Sequence, residues 1–156
     1  MTERLNFMEH GREPLRLMFG IENYLGESSI ERNLLHLVKF RVSQINGCAY
    51  CLDMHSKDLR AEGEDEQRLY LLSAWRESPF YSDRERAALE WAEALTLVAQ
   101  GNHLDAVLQR VREHFDDRET VDLTIAVNAI NNWNRLNIAF STIPGSYQPG
   151  QFAAFA

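Results

Sequence analysis

The sequence has no apolar run approaching the roughly 20 residues that a membrane-spanning helix requires. It has no block of basic residues either: 16 Lys and Arg stand against 23 Asp and Glu, a formal net charge of −7. Nucleic acid and anionic membranes are therefore poor partners, and the negative balance reads as a solubility feature. Met1 to Glu9 lacks the apolar stretch of a secretory signal. Sustained period-2 alternation, low-complexity tracts and obvious internal repeats are all missing, which argues against strands. Cysteine is nearly absent, with two residues in the chain. At three positions apart they would close too small a loop to stabilise much. We expect a reducing cytoplasm, where such a pair is catalytic or metal-binding.

What is present suffices for a core. The chain has 156 residues, 45% of them hydrophobic, and a domain of about 150 residues buries roughly 70% of its unfolded surface. The periodicity predicts an all-α fold of six or seven helices. Leu5, Phe7 and Met8 form an apolar lead-in. Pro14 suits the first turn of a helix that continues to Gly26. Ser28 or Ser29 is expected to cap the next helix, which runs to Ile45 and is apolar nearly all round, hence buried. Further helices are expected from Cys48 to about 62, from Glu64 to Arg76, and from Ser82, where Glu85 completes a capping box. That last helix ends at Gly101-Asn102. A short helix follows from about Asp105 to Phe115, then a long one from about Arg118 to Phe140. Pro144-Gly145 closes the pattern. The tail, 146–156, carries Phe152 and Phe155 and is expected to dock on a partner or on the chain itself.

The strongest chemical signal is Asn46-Gly47-Cys48-Ala49-Tyr50-Cys51-Leu52-Asp53-Met54-His55. Asn46-Gly47 reads as the left-handed end of one helix, so Cys48 opens the next. On that helix Cys48, Cys51 and His55 share a face. A helix N-terminus offers free N–H groups and positive partial charge, which stabilise a thiolate. The first reading is a redox dithiol with His55 moving a proton. Two buried structural thiols are the bland alternative. Zinc held by Cys48, Cys51, His55 and His36 is a third, although the spacing is not that of a finger. The two-residue connection makes the helices antiparallel neighbours. His36 then lies roughly 15 Å before the turn and His55 roughly 10 Å after it, at similar heights. They could form a relay to the cysteines, although His36 reads equally well as a hydrogen-bonded core histidine. Tyr50 is a candidate wall of the site, or packing. Asn128, Asn131, Asn132 and Arg135 are expected as a polar strip fixing helix or subunit packing, with pocket lining as the alternative. Trp75, Trp91 and Trp133 are expected in the core or an interface. His10, His103 and His114 have no supporting constellation.

The stretch Ser43 to Cys51 followed by Asp53-Met54-His55 closely resembles the carboxymuconolactone decarboxylase superfamily, in its alkylhydroperoxidase D-like branch. Arg68-Leu69-Tyr70, Ala74-Trp75-Arg76, Glu90 to Ala94 and Ile130 to Arg135 resemble it too. The resemblance spans about residues 4–145 and implies a single all-α domain over 1–145 that assembles into trimers or hexamers. It implies a peroxidase or disulfide-reductase cycle without metal or other cofactor. Cys51 would attack the hydroperoxide, Cys48 would resolve it, His55 would relay protons, and an external dithiol would restore the pair. Two positions depart from the pattern. His36 stands where the relay normally has a glutamate, so the charge pairing with His55 is lost. Tyr50 stands where the peroxidases of the branch carry a histidine. A redox sensor or disulfide reductase with weak peroxidase activity, and a lactone decarboxylase, are the alternatives that the resemblance permits. A non-catalytic metal or oligomeric scaffold is a further one.

Overall fold

A computed structural model of the chain describes residues 2–101 and 103–152. Asn102 and Phe155, named above as a helix stop and a tail anchor, lie outside the described residues. These residues form eight α-helices: α1 Phe7–His10, α2 Arg12–Gly26, α3 Arg32–Asn46, α4 Ala49–Ala61, α5 Glu66–Leu71, α6 Asp83–Thr96, α7 Leu104–Val111 and α8 Asp117–Phe140. Short 3-10 turns follow α5 and α6. No strand occurs among the described residues. None of the described helices is long and apolar enough to cross a membrane.

Helix α3 is the axis. It packs against α4, α6 and α8, burying Leu34, Leu35, Leu37, Val38, Phe40 and Val42, which are spread round most of its circumference. Val38 and Val42 join Leu123, Val127 and Ile130 of α8 in one buried cluster, together with Cys48 and Cys51. Leu37 and Phe40 join Leu59, Leu72, Trp75 and Leu89 in a second. Each fully buried Leu, Val or Ile contributes about 1.5–3 kcal/mol. A polar seam joins α3 to α8 between these apolar contacts. Asn46 donates through Nδ2 to Oδ1 of Asn131 (3.0 Å) and of Asn134 (2.9 Å), and Asn134 donates to Ser43 Oγ at 3.0 Å. Ser43 and Asn134 have no exposed surface, where unpaired amides would be costly.

Several local expectations change. The apolar lead-in is itself a helical turn, α1, which accounts for the eighth helix. Ser28 and Ser29 do not cap α3; the N-cap is Glu31, without a side-chain bond to the helix. Ser28 instead donates back to the Leu25 carbonyl, and the Glu31 carboxylate meets Arg84. The segment after Gly63 forms a shorter helix than expected, passing into a 3-10 turn after Leu71. The buried polar strip on α8 is Asn131, Asn134 and Asn137, whereas Asn128, Asn132 and Arg135 face solvent. Only positions three apart, carried one residue further round, stay under α3. The capping box at Ser82 and Glu85 is formed, and α8 carries a second one at Asp116 and Glu119.

The described tail docks on its own chain. Tyr147 is buried, and Phe152 lies between Phe19 and Tyr147, with ring centroids 5.9 and 5.8 Å away.

Candidate functional site

Gly47 ends α3 with φ +69°, and Cys48 is the N-cap of α4. This turn aims the start of α4 at the seam between α3 and α8. Cys48 and Cys51 are joined as a disulfide with Cα atoms 5.4 Å apart. The Cys51 backbone N–H also points at Cys48 Sγ, at 3.3 Å. The sulphurs are not equivalent. Cys48 is part of the inner apolar cluster, whereas Cys51 also lies on the wall of a cavity. Asn137 of α8 directs its Nδ2 at Cys51 Sγ from 3.5 Å while bonding to the Trp133 carbonyl at 2.9 Å.

The cavity has a volume of about 500 Å³ and a mostly apolar wall, supplied by Phe19, Tyr50, Met54, Trp133, Tyr147 and Phe152 among others. That volume suits a small organic ligand. The polar groups gather at one end. His36 and His55 come together there from α3 and α4, with ring centroids 5.7 Å apart and the rings edge to face. The short Asn46-Gly47 connection is the reason: it makes the helices antiparallel and sets the two residues opposite each other. Asp58, one turn after His55, faces both. Its Oδ2 lies 4.0 Å from His36 Nδ1 and 4.0 Å from His55 Nδ1. Its Oδ1 accepts a hydrogen bond from the Tyr147 hydroxyl at 2.8 Å. Glu62 Oε1 is 3.6 Å from His36 Nε2. Lys39 pairs with Glu22, whose other oxygen accepts from Trp133 Nε1 at 3.0 Å.

Burial governs the protonation of this end. It pushes His36 down to about 3, with the charges of Lys39 and Arg32 adding to the effect. Burial likewise holds His55 well below the ordinary imidazole value, reinforced by His36 and Lys39. Both rings are therefore neutral at pH 7. Burial raises Asp58, against the opposing hydrogen bond of Tyr147 and the charges of Arg32 and Lys39. Burial also raises Tyr50, with Asp53 and Asp58 adding to it. Neutral imidazoles cannot form an ion pair with a thiolate. Stabilisation of a Cys51 thiolate falls instead to the first turn of α4 and to Asn137.

The expected site residues Cys51, His36, His55 and Tyr50 all reach this cavity, and Cys48 sits behind Cys51. Asp58, Tyr147, Asn137 and the Glu22–Lys39 pair were not singled out in the sequence. Lys39 alone carried a signal, as a lysine between the apolar Val38 and Phe40 of α3. Trp133, expected in the core or an interface, lines the cavity.

Residues 12–94 match the family model described as the carboxymuconolactone decarboxylase family. The uncharacterized protein YdfG of Bacillus subtilis (strain 168) is 48% identical over 139 residues, 89% of this chain and 95% of that protein. A crystal structure of a protein of unknown function from Agrobacterium tumefaciens, described as a candidate antioxidant defence protein AhpD, superposes with a TM-score of 0.88. It is 40% identical, over 94% of this chain and 100% of that one. An uncharacterized peroxidase-related protein from Silicibacter sp. TM1040 has a TM-score of 0.76 at 29% identity, over 90% of this chain and 74% of its own.

Proposed function

The chain belongs to the carboxymuconolactone decarboxylase family, and from that premise we propose that it is a dithiol oxidoreductase that reduces organic hydroperoxides. The observation that carries this reading is the asymmetry of the cysteine pair: Cys51 lines the apolar cavity and Cys48 stands behind it, within disulfide reach.

The cycle starts from the reduced pair. The free N–H groups of the first α4 turn and the Asn137 amide favour the Cys51 thiolate. Its proton passes towards His55, one helical turn along and neutral. The thiolate attacks the outer oxygen of the hydroperoxide, the O–O bond breaks, and the alkoxide takes up a proton to leave as the alcohol. Cys51 is then a sulfenic acid. Cys48 attacks its sulphur, the S–S bond forms, and water departs. An external dithiol exchanges with the disulfide and returns both thiols. Tyr50 shapes the entrance to the cavity, and His36 is the second member of the relay. A homo-oligomer in the cytoplasm is the setting we propose.

One equivalent of an organic hydroperoxide added to the reduced protein tests this. The expected result is fast loss of two thiols and a mass decrease of two hydrogens, with Cys51→Ser inert and Cys48→Ser arrested at the sulfenic acid. Turnover that survives in Cys51→Ser overturns the assignment. Accessible thiols that do not react, together with turnover of a lactone acid after alkylation, would move the chain to decarboxylation.

A further inference from the structure

We propose that His36, His55 and Asp58 form a binding site for a divalent first-row transition-metal ion of the zinc type at the polar end of the cavity. One donor atom from each residue lies within 4.8 Å of the others. Both imidazole Nδ1 atoms are 4.0 Å from the same carboxylate oxygen, Asp58 Oδ2. Tetrahedral zinc with bonds of about 2.0–2.1 Å sets its ligands about 3.3 Å apart. The three side chains therefore need to close by roughly 1 Å around an ion.

The second observation is what these nitrogens lack. His55 is 3% exposed, and among the described residues neither of its ring nitrogens has a hydrogen-bond partner; His36 Nδ1 is buried without one there as well. A buried polar atom without a partner is costly, because it has given up its water for nothing. The two rings meet edge to face and do not hydrogen-bond each other. A metal ion satisfies the two Nδ1 atoms together.

The atoms facing away from the site are held as the outer partners of metal ligands are. His36 Nε2 faces Glu62 at 3.6 Å, which favours the tautomer with Nδ1 free. Asp58 Oδ1 takes the Tyr147 hydroxyl, which leaves Oδ2 to face the two rings. The surrounding charge is compatible with a cation. Lys39 is matched by Glu22 and Arg32 by Glu62, the latter at 2.6 Å. Asp58 makes no ion pair with a lysine or arginine among the described residues. Two nitrogens and one oxygen leave a fourth position open towards the cavity, a donor set suited to zinc, cobalt or iron. This differs from the cysteine-containing set considered from the sequence: in the disulfide form neither sulphur is a thiolate donor.

The test uses the full chain in its disulfide form, stripped with a chelator, so its outcome is independent of the thiol cycle. Cobalt(II) is titrated and followed by its visible d–d absorption, and zinc by calorimetry. Saturation at one equivalent is expected. Asp58→Asn and His55→Ala should abolish it, Tyr147→Phe should weaken it at least about tenfold, and His10→Ala should leave it unchanged. No absorption band and no heat would overturn the proposal. So would unchanged binding in Asp58→Asn, or binding that appears only after reduction, which would mean sulphur ligation. Should a variant fail to fold, the unmodified protein decides. Zinc should raise its Tm by ligand linkage and shift the ring resonances of His36 and His55 but not those of His10. Resonances that stay in place overturn the site.

Discussion

Glu93 shows how a single residue is set by its neighbours. Burial by itself would raise its pKa. Hydrogen bonds from Trp75 Nε1, Arg76 and Arg41, the first and last at 2.8 Å, overcome burial and hold it below the usual carboxylate range. A carboxyl depressed in the folded state stabilises the protein above its unfolded pKa, about 4.3, and that contribution is lost as pH falls through the depressed value. Glu93→Gln should therefore cost about 2 kcal/mol near pH 7. The deficit should shrink in urea titrations repeated below pH 4. A deficit independent of pH would mean that the carboxylate charge is not what the three donors recognise. Tyr147 is a second case at this scale. Its hydroxyl is the donor to Asp58, so Tyr147→Phe removes one buried hydrogen bond and little packing. A loss of about 1–2 kcal/mol is expected in equilibrium unfolding.

At the scale of elements, the turn between α3 and α4 decides where the cysteines point. Gly47 occupies the left-handed region at φ +69°, and a Cβ there would meet nothing within 4 Å. The cost of Gly47→Ala is therefore conformational, about 1–2 kcal/mol, and should appear as a lower urea midpoint with an unchanged slope. The far side of the turn is tied down by Asn134, which accepts from Asn46 and donates to Ser43. Asn134→Ala removes one of the two acceptors of Asn46 and the donor to the buried Ser43 Oγ, and it hollows the seam, so a larger loss, about 2–3 kcal/mol, is expected. If Asn134→Ala costs less than Gly47→Ala, the seam between α3 and α8 is not what holds the turn.

For the whole molecule, the tail closes the cavity that the bundle leaves open. Residues 147–152 lay Tyr147 and Phe152 over the wall formed by Phe19, Asp58 and Trp133. A chain ending at Ser146 should keep the helical far-ultraviolet spectrum, since α1 to α8 are intact. It should expose His36 and His55, so that diethyl pyrocarbonate modifies both, whereas in the full chain His55 is protected. Equal modification in both chains would mean that the tail is not a cover. The proposed oligomer is tested by light scattering, where a mass three or six times the 18.0 kDa protomer is expected and a monomer would refute it.

The sequence by itself determined what depends on near neighbours. Apolar periodicity specified the all-α class and the buried α3, because helical faces repeat within a few residues. The Gly47 turn and the start of α4 at Cys48 were legible because a cap is a local event. Even the meeting of His36 and His55 was legible, since a two-residue connection leaves two helices little choice of partner. The Ser28 and Ser29 caps were misread because Glu31 sits nearer the first helical turn. What only the tertiary structure decided lies far apart in the chain. Asn137 reaches Cys51 across 86 residues, Tyr147 reaches Asp58 across 89, and Trp133 reaches Glu22 across 111. No periodicity couples such positions. Their pairing follows from the packing of α8 and the tail against α2, α3 and α4, where burial in a shared cavity turns an ordinary aspartate, asparagine and tyrosine into parts of one site.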